Sequence, residues 1–178
     1  DLFLGGSPGH VGRLFLGHTA GRFTESVQPA LAADKDCEDT AALFFDFDAD
    51  GDLDLILVGG GVREPAGHAS SRPRLYLNDG KGHFTKAPDG VVPELRVNGS
   101  CVAAADFDHD GDTDLFIGTG SVPGQYPLAG PSHLLVNQAG KFNEVTPEAV
   151  RESGLVTGAV WSDADGDGWP DLLVTTEW

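Results

Sequence analysis

The chain has 178 residues, 40% of them hydrophobic, and carries 11 Lys and Arg against 28 Asp and Glu, a formal net charge of −17. That apolar content suffices for a substantial core, while the acidity argues against nucleic acid and anionic membranes as partners. No apolar run approaches the roughly 20 residues of a membrane-spanning helix, so membrane insertion is not expected.

Residues 1–4 (DLFL) and 13–16 (RLFL) read as strands, followed by a turn at 17–21 and an aromatic-led strand at 22–24 (RFT). The next unit is fuller. Residues 41–45 (AALFF) run into a cluster of aspartates and emerge as 55–58 (LILV), a short apolar run of strand length. A connection over 59–72, rich in Gly, Pro and Ser, leads to 74–77 (RLYL), the turn NDGKG at 78–82 and 83–85 (HFT); Asn-Asp-Gly-Lys-Gly between such runs is a strong hairpin signal. The order then repeats: 102–105 (VAAA), aspartates, 115–117 (LFI), a connection over 118–132, 133–136 (HLLV), a turn at 137–140 and 141–143 (KFN). Residues 146–154 (TPEAVRESG) have helix punctuation, with a threonine cap, an early proline and a terminal glycine. Residues 158–161 (GAVW), aspartates and 172–174 (LLV) close the chain.

The aspartates follow one rule. D-x-D-x-D-G-x-x-D-L stands at 46–55, 106–115 and 163–172, with starts 60 and then 57 residues apart. Carboxylates on alternate residues of a glycine-turned loop converge on one point, and a hard divalent cation makes that crowding tolerable. The first loop offers Asp46, Asp48, Asp50 and Asp54, with Asp54 suited to bidentate ligation, and the main-chain carbonyl of Asp52. The second offers Asp106, Asp108, Asp110 and Asp114 with the carbonyl of Asp112. In the third, Asp163, Asp165, Asp167 and Asp171 match, and Trp169 takes the seventh place, which suits a backbone ligand because a carbonyl does not depend on its side chain. Calcium is the expected ion, about three in all; magnesium prefers octahedral geometry and retains its waters, and zinc lacks Cys or His in the motif. The competing reading makes these aspartates ordinary solvated turn residues. The pattern matches the first nine positions of an EF-hand loop, but Leu57, Ile117 and Val174 stand where its closing glutamate would be, and strands rather than helices flank each loop.

A period near 60 fits a four-stranded propeller blade. The expected fold is therefore all-β: a single array of β-propeller blades over residues 1–178, with a partial blade at 1–36, blades at 37–96 and 97–154, and the first half of another at 155–178. The alanine-rich first strands belong near the axis, where blades converge. Phe15, Phe23, Tyr76, Phe84 and Phe142 are expected between blades as core.

These residues resemble FG-GAP/VCBS repeats, the calcium-binding blades also found in integrin alpha-subunit propellers. DFDADGDLD at 46–54, SCVAAAD at 100–106, VPGQYP at 122–127 and DGDGWPD at 165–171 are in addition similar to bacterial VCBS-repeat proteins of the ASPIC/UnbV type, relatives of cartilage acidic protein. The resemblance implies an exported, calcium-binding protein that interacts rather than catalyses.

Asp1 aligns with Asp54 and Asp114, so the chain starts at the last ligand of a further loop. About three blades cannot close a ring of roughly four to eight, which leaves two expectations: part of a longer chain, or a homodimer closing a six-bladed ring. Cys37 and Cys101 precede neighbouring first strands and are either disulfide-bonded or free, with Cys101 as a buried thiol. His109, in a non-ligand slot, is expected to be solvent-exposed. No Ser-His-Asp grouping stands apart from the metal motifs. The function expected is a calcium-stiffened, non-catalytic module for protein or glycan interaction or adhesion, placed outside the cell, in the periplasm or at the cell surface, where low-affinity calcium sites fill. The alternatives are the propeller portion of a secreted carbohydrate-active enzyme and a structural scaffold.

Overall fold

Apolar residues at every position, rather than every second one, mark strands covered on both faces, and the two longest such runs are the middle of the molecule. The computed structural model describes residues 1–61, 63, 65, 68–95 and 97–177. Val62, Glu64, Ala66 and Gly67, within the connection expected to vary, lie outside the described residues, as do Arg96 and Trp178.

The elements in chain order are β1 (Leu2–Leu4), β2 (Arg13–His18), β3 (Arg22–Ser26), α1 (Pro29–Ala33), β4 (Asp39–Phe45), β5 (Asp54–Gly59), β6 (Arg74–Asn78) and β7 (Phe84–Lys86). They continue with β8 (Gly99–Ala105), β9 (Asp114–Thr119), β10 (His133–Asn137), β11 (Phe142–Glu144), α2 (Glu148–Arg151), β12 (Val156–Ser162) and β13 (Asp171–Thr176). They pair into four antiparallel sheets, β1-β2-β3, β4-β5-β6-β7, β8-β9-β10-β11 and β12-β13, each a meander in chain order. This is the all-β arrangement of propeller blades, and none of the sheets closes into a barrel.

The runs 55–58 and 115–117 explain the stacking. Leu55 and Leu57 pack with Leu14 and Phe3 of the first sheet, whereas Ile56 and Val58 pack with Leu115, Ile117 and Leu135 of the third. Phe116 turns the other way and meets Val156, Ala159, Leu172 and Val174 of the last. Alternate residues of one strand thus serve two interfaces, each buried side chain contributing about 1.5–3 kcal/mol. The first strands β4, β8 and β12 lie side by side, where small residues are required: a Cβ on Gly118 would stand 2.6 Å from Cys101 Sγ and 2.6 Å from Val156 Cγ1. Both cysteines are free.

Of the aromatic residues expected between blades, Tyr76, Phe84 and Phe142 are buried, but Phe23 is 52% exposed. It sits on the first sheet, against which no further sheet packs among the described residues. The helix expected at 146–154 is the single turn α2, but Pro147 is its cap; the hydroxyl of Thr146 instead accepts from Leu134 N–H (2.9 Å). Helix α1 carried no sequence signal beyond Pro29 at its first position.

One charge substitution ties a connection to its blade. In the first and third sheets a basic residue and a glutamate pair across the last two strands, Arg13 with Glu25 (2.7 Å) and His133 with Glu144 (2.9 Å). In the second sheet Lys86 stands at the glutamate's register position, so Arg74 and Lys86 share one edge. The carboxylates come instead from the end of α1 and the start of β4. Asp34 accepts from Lys86 Nζ (2.8 Å) and from the Tyr76 hydroxyl (2.6 Å), while Asp39 accepts from Arg74 and from Gly6 N–H (2.7 Å). Burial pushes the Asp34 carboxyl up, but the Lys86 and Tyr76 hydrogen bonds outweigh it and hold the group below the ordinary range.

A depressed carboxyl stabilises the fold above its unfolded pKa of about 4 and loses that contribution as pH falls through the folded value. Asp34→Asn is therefore expected to cost about 1 kcal/mol at pH 7. The gap from the unsubstituted protein should close toward pH 3, as read by urea unfolding at both pH values.

Candidate metal centres

Each aspartate motif is the turn between the first and second strand of a sheet: residues 46–53 between β4 and β5, 106–113 between β8 and β9, and 163–170 between β12 and β13. The turn is tight because two residues adopt left-handed backbone. The motif glycines have φ of 90° at Gly51, 96° at Gly111 and 91° at Gly168; two residues earlier Ala49 and His109 hold φ near 60° despite their Cβ atoms. The latter is a conformation that an L residue adopts at a cost of about 1 kcal/mol.

The same hydrogen bonds recur in every loop. The N–H of Gly51, Gly111 and Gly168 donates to the first aspartate (3.1, 3.1 and 3.0 Å). The N–H of Asp52, Asp112 and Trp169 donates to the fifth-position aspartate (2.9, 2.9 and 2.8 Å). The N–H of Phe47, Phe107 and Ala164 donates to the ninth-position aspartate (3.0, 3.1 and 3.0 Å). The loops are thus wound inward on their own carboxylates.

Three oxygens converge in each. Among the described residues, Asp46, Asp48 and Asp50 bring ligand atoms within 4.8 Å of one another, as do Asp106, Asp108 and Asp114, and Asp163, Asp165 and Asp167. Asp54, Asp110 and Asp171 stand outside these trios. Asp54 and Asp114 are buried, and each uses both oxygens: Oδ2 for the loop N–H already named and Oδ1 for the N–H of Asn78 or Asn137 (2.8 Å each). Bidentate ligation by Asp54 would therefore draw on the second lone pair of each oxygen. At the seventh position the Asp112 carboxylate accepts from Ala139 N–H (3.0 Å) in the neighbouring hairpin turn. The Asp112 side chain is thus engaged by the neighbouring turn, and in the third loop Trp169 stands at the same place.

The electrostatics call for positive charge. Burial raises the Asp48 carboxyl, and the charges of Asp50 and Asp46 raise it further. Burial likewise pushes Asp114 up to about 6, against the opposing N–H groups of Asn137 and Phe107 and with the charges of Asp108 and Asp110 adding to it. Asp46 Oδ1 is buried and has no hydrogen-bond partner, and a carboxylate oxygen so placed is costly without a cation or a donor. The donor set, all hard oxygen on a glycine-turned loop, fits calcium.

Residues 46–117 match the family model of the FG-GAP-like repeat. The chain carries an FG-GAP-like repeat. The matched stretch runs from the first aspartate of the first loop into β9, so it takes in two aspartate loops and, between them, β5, β6, β7 and β8. Among curated proteins, none matches the chain.

The FG-GAP-like loops also carry residues that spacing did not single out. Phe47, between Asp46 and Asp48, is 4% exposed and packs its ring on Phe142 of the next sheet (5.2 Å). Phe107 stacks on Trp161 (5.6 Å, 4° between planes), and His109, exposed as expected, stacks on Trp169 of the third loop (4.2 Å, 10°). Their only sequence signal is an aromatic residue inside an acidic motif, which solvated turn chemistry does not require.

Phe47→Ala is expected to lower the unfolding free energy by about 3–5 kcal/mol, measured by urea denaturation with a chelator present so that no metal contributes. A loss below about 1 kcal/mol, the range of a surface change, would show that this loop does not plug the interface.

Proposed function

We propose that the chain is a calcium-stiffened propeller module that presents its connections to a protein or glycan outside the cell and catalyses no reaction itself. The observation that carries the reading is the threefold convergence of carboxylates, with Asp46 Oδ1 left buried and unpartnered in the first loop. Calcium in these loops would supply that partner and offset the repulsion that raises Asp48 and Asp114. It would also pin the first strand of each sheet to the second.

Strand direction separates the two ends of the module. The aspartate loops precede β5 and β9, whereas the connections before β6 and β10 leave from their opposite ends. The connections are held in relation to one another by Asn98, whose Oδ1 accepts from Gly61 N–H (2.7 Å) and whose Nδ2 donates to the Ser121 carbonyl (2.5 Å). Beyond this anchor the tip of the second connection exposes Tyr126 and Leu128. Loops on a rigid scaffold are where binding groups concentrate, and metal loops at the far end would leave that surface free. Resemblance to exported repeat proteins and the fit of low-affinity calcium loops to extracellular calcium support the location. Among the described residues no helix is long and apolar enough to cross a membrane.

Thermal unfolding in calcium against chelator tests the reading. A site filled at a hundred times its Kd stabilises by about 2.7 kcal/mol, so calcium should raise Tm by several degrees, and magnesium by less. Because protons compete with the cation at Asp114, whose carboxyl titrates at about 6, the calcium effect should shrink between pH 7 and pH 5. An identical Tm in calcium and chelator would return the aspartates to ordinary turns.

A further inference from the structure

Asn137 is fully buried and sends its polar groups to three places. Its main-chain N–H donates to Asp114 Oδ1 (2.8 Å), its Oδ1 accepts from Gly140 N–H (3.1 Å), and its Nδ2 donates to the carbonyl of Phe47 (2.8 Å). Asp114 belongs to the carboxylate trio of the second loop. Phe47 lies between Asp46 and Asp48, two members of the first trio. The Phe47 peptide is fixed from the other side as well, since its N–H donates to Asp54 and its ring sits on Phe142. Asn78, at the same place in the preceding sheet, sends Nδ2 to the Leu53 carbonyl of its own sheet's loop (3.1 Å) and makes no such crossing.

We propose that Asn137 is a positioning residue that couples the first and second metal loops, so that a cation in one favours a cation in the other. This rests on the reading of the loops as calcium sites. Each loop without an ion holds mutually repelling carboxylates and must be ordered when one binds. A cation at Asp106, Asp108 and Asp114 fixes Asp114 and, through its N–H contact, Asn137. The side chain of Asn137 then holds the Phe47 carbonyl, and with it the segment from Asp46 to Asp48, in the converged arrangement. Ordering already done by the first ion need not be done by the second, which is positive coupling, and thermodynamic linkage makes it reciprocal.

Calcium titration by calorimetry, with bound ions counted, tests this on four substituted forms of the whole chain beside the unsubstituted one. Asp165→Asn disables the third loop and leaves the first two; adding Asp108→Asn leaves the first loop alone. Coupling predicts that the first loop binds calcium about 5-fold or more weakly when the second is disabled. In the Asn137→Ala background, which keeps the main-chain bond to Asp114, disabling the second loop should change the affinity of the first by less than about 2-fold, the coupling free energy having been lost. Should Asn137→Ala fail to fold, the comparison in the native background still decides whether the loops are coupled. Calcium binding with the first loop indifferent to the second, or with Asn137→Ala retaining the full difference, would overturn the proposal and leave the calcium reading standing. No calcium binding by the unsubstituted protein would end both.

Discussion

A carboxylate at the ninth position of the first two aspartate motifs, drawn into the protein where the loop becomes the second strand, is the constraint from which the two four-stranded blades are built. Asp54 and Asp114 are 2% and 0% exposed, and each accepts one N–H from its own loop and another from the turn that ends the third strand. A single residue therefore fixes the curl of the loop, the start of β5 or β9, and the distance to β6 or β10. Burying a charge this way is costly unless hydrogen bonds and a nearby cation offset it. Two N–H donors cover part of that cost, and burial together with the charges of Asp108 and Asp110 still pushes Asp114 up to about 6.

The stacking of sheets follows from the same place. Once the strand after the loop is fixed in register, its side chains alternate between two neighbours, and Leu55 and Leu57 serve one interface while Ile56 and Val58 serve the other. The aromatic residues within the loops extend these interfaces onto the acidic end: Phe47 on Phe142, Phe107 on Trp161, His109 on Trp169. The loops are thus the most charged parts of the blade, and their aromatic residues bring that charge up against the packing between sheets.

Much of this was legible in the chain. Short apolar runs and hairpin turn signals located the strands, and the spacing of aspartates around one glycine located the loops, because both depend only on residues close in sequence. The burial of Tyr76, Phe84 and Phe142 followed from their size and place in a repeated hairpin. Phe23 occupies the same place yet is exposed, because burial depends on a neighbouring sheet and not on the hairpin. The cap at Thr146 and the helix at Pro29–Ala33 were misjudged or missed for a related reason: with helices of one turn, contacts to adjoining strands outweigh local propensity.

By itself the sequence determined the fold class, the meander within each sheet and the place of the aspartate loops, since each is set by side-chain chemistry over a few residues or by a repeat of near-constant length. Only the tertiary structure decided how the loops are joined. Asn137 and Phe47 are 90 residues apart, and Asn78, with the same local context, bonds within its own sheet. Trp169 and His109 meet because β8 and β12 lie side by side. Contacts of that kind are selected by the relative placement of whole sheets, which depends on all the interface side chains together and leaves no periodic mark on any one segment.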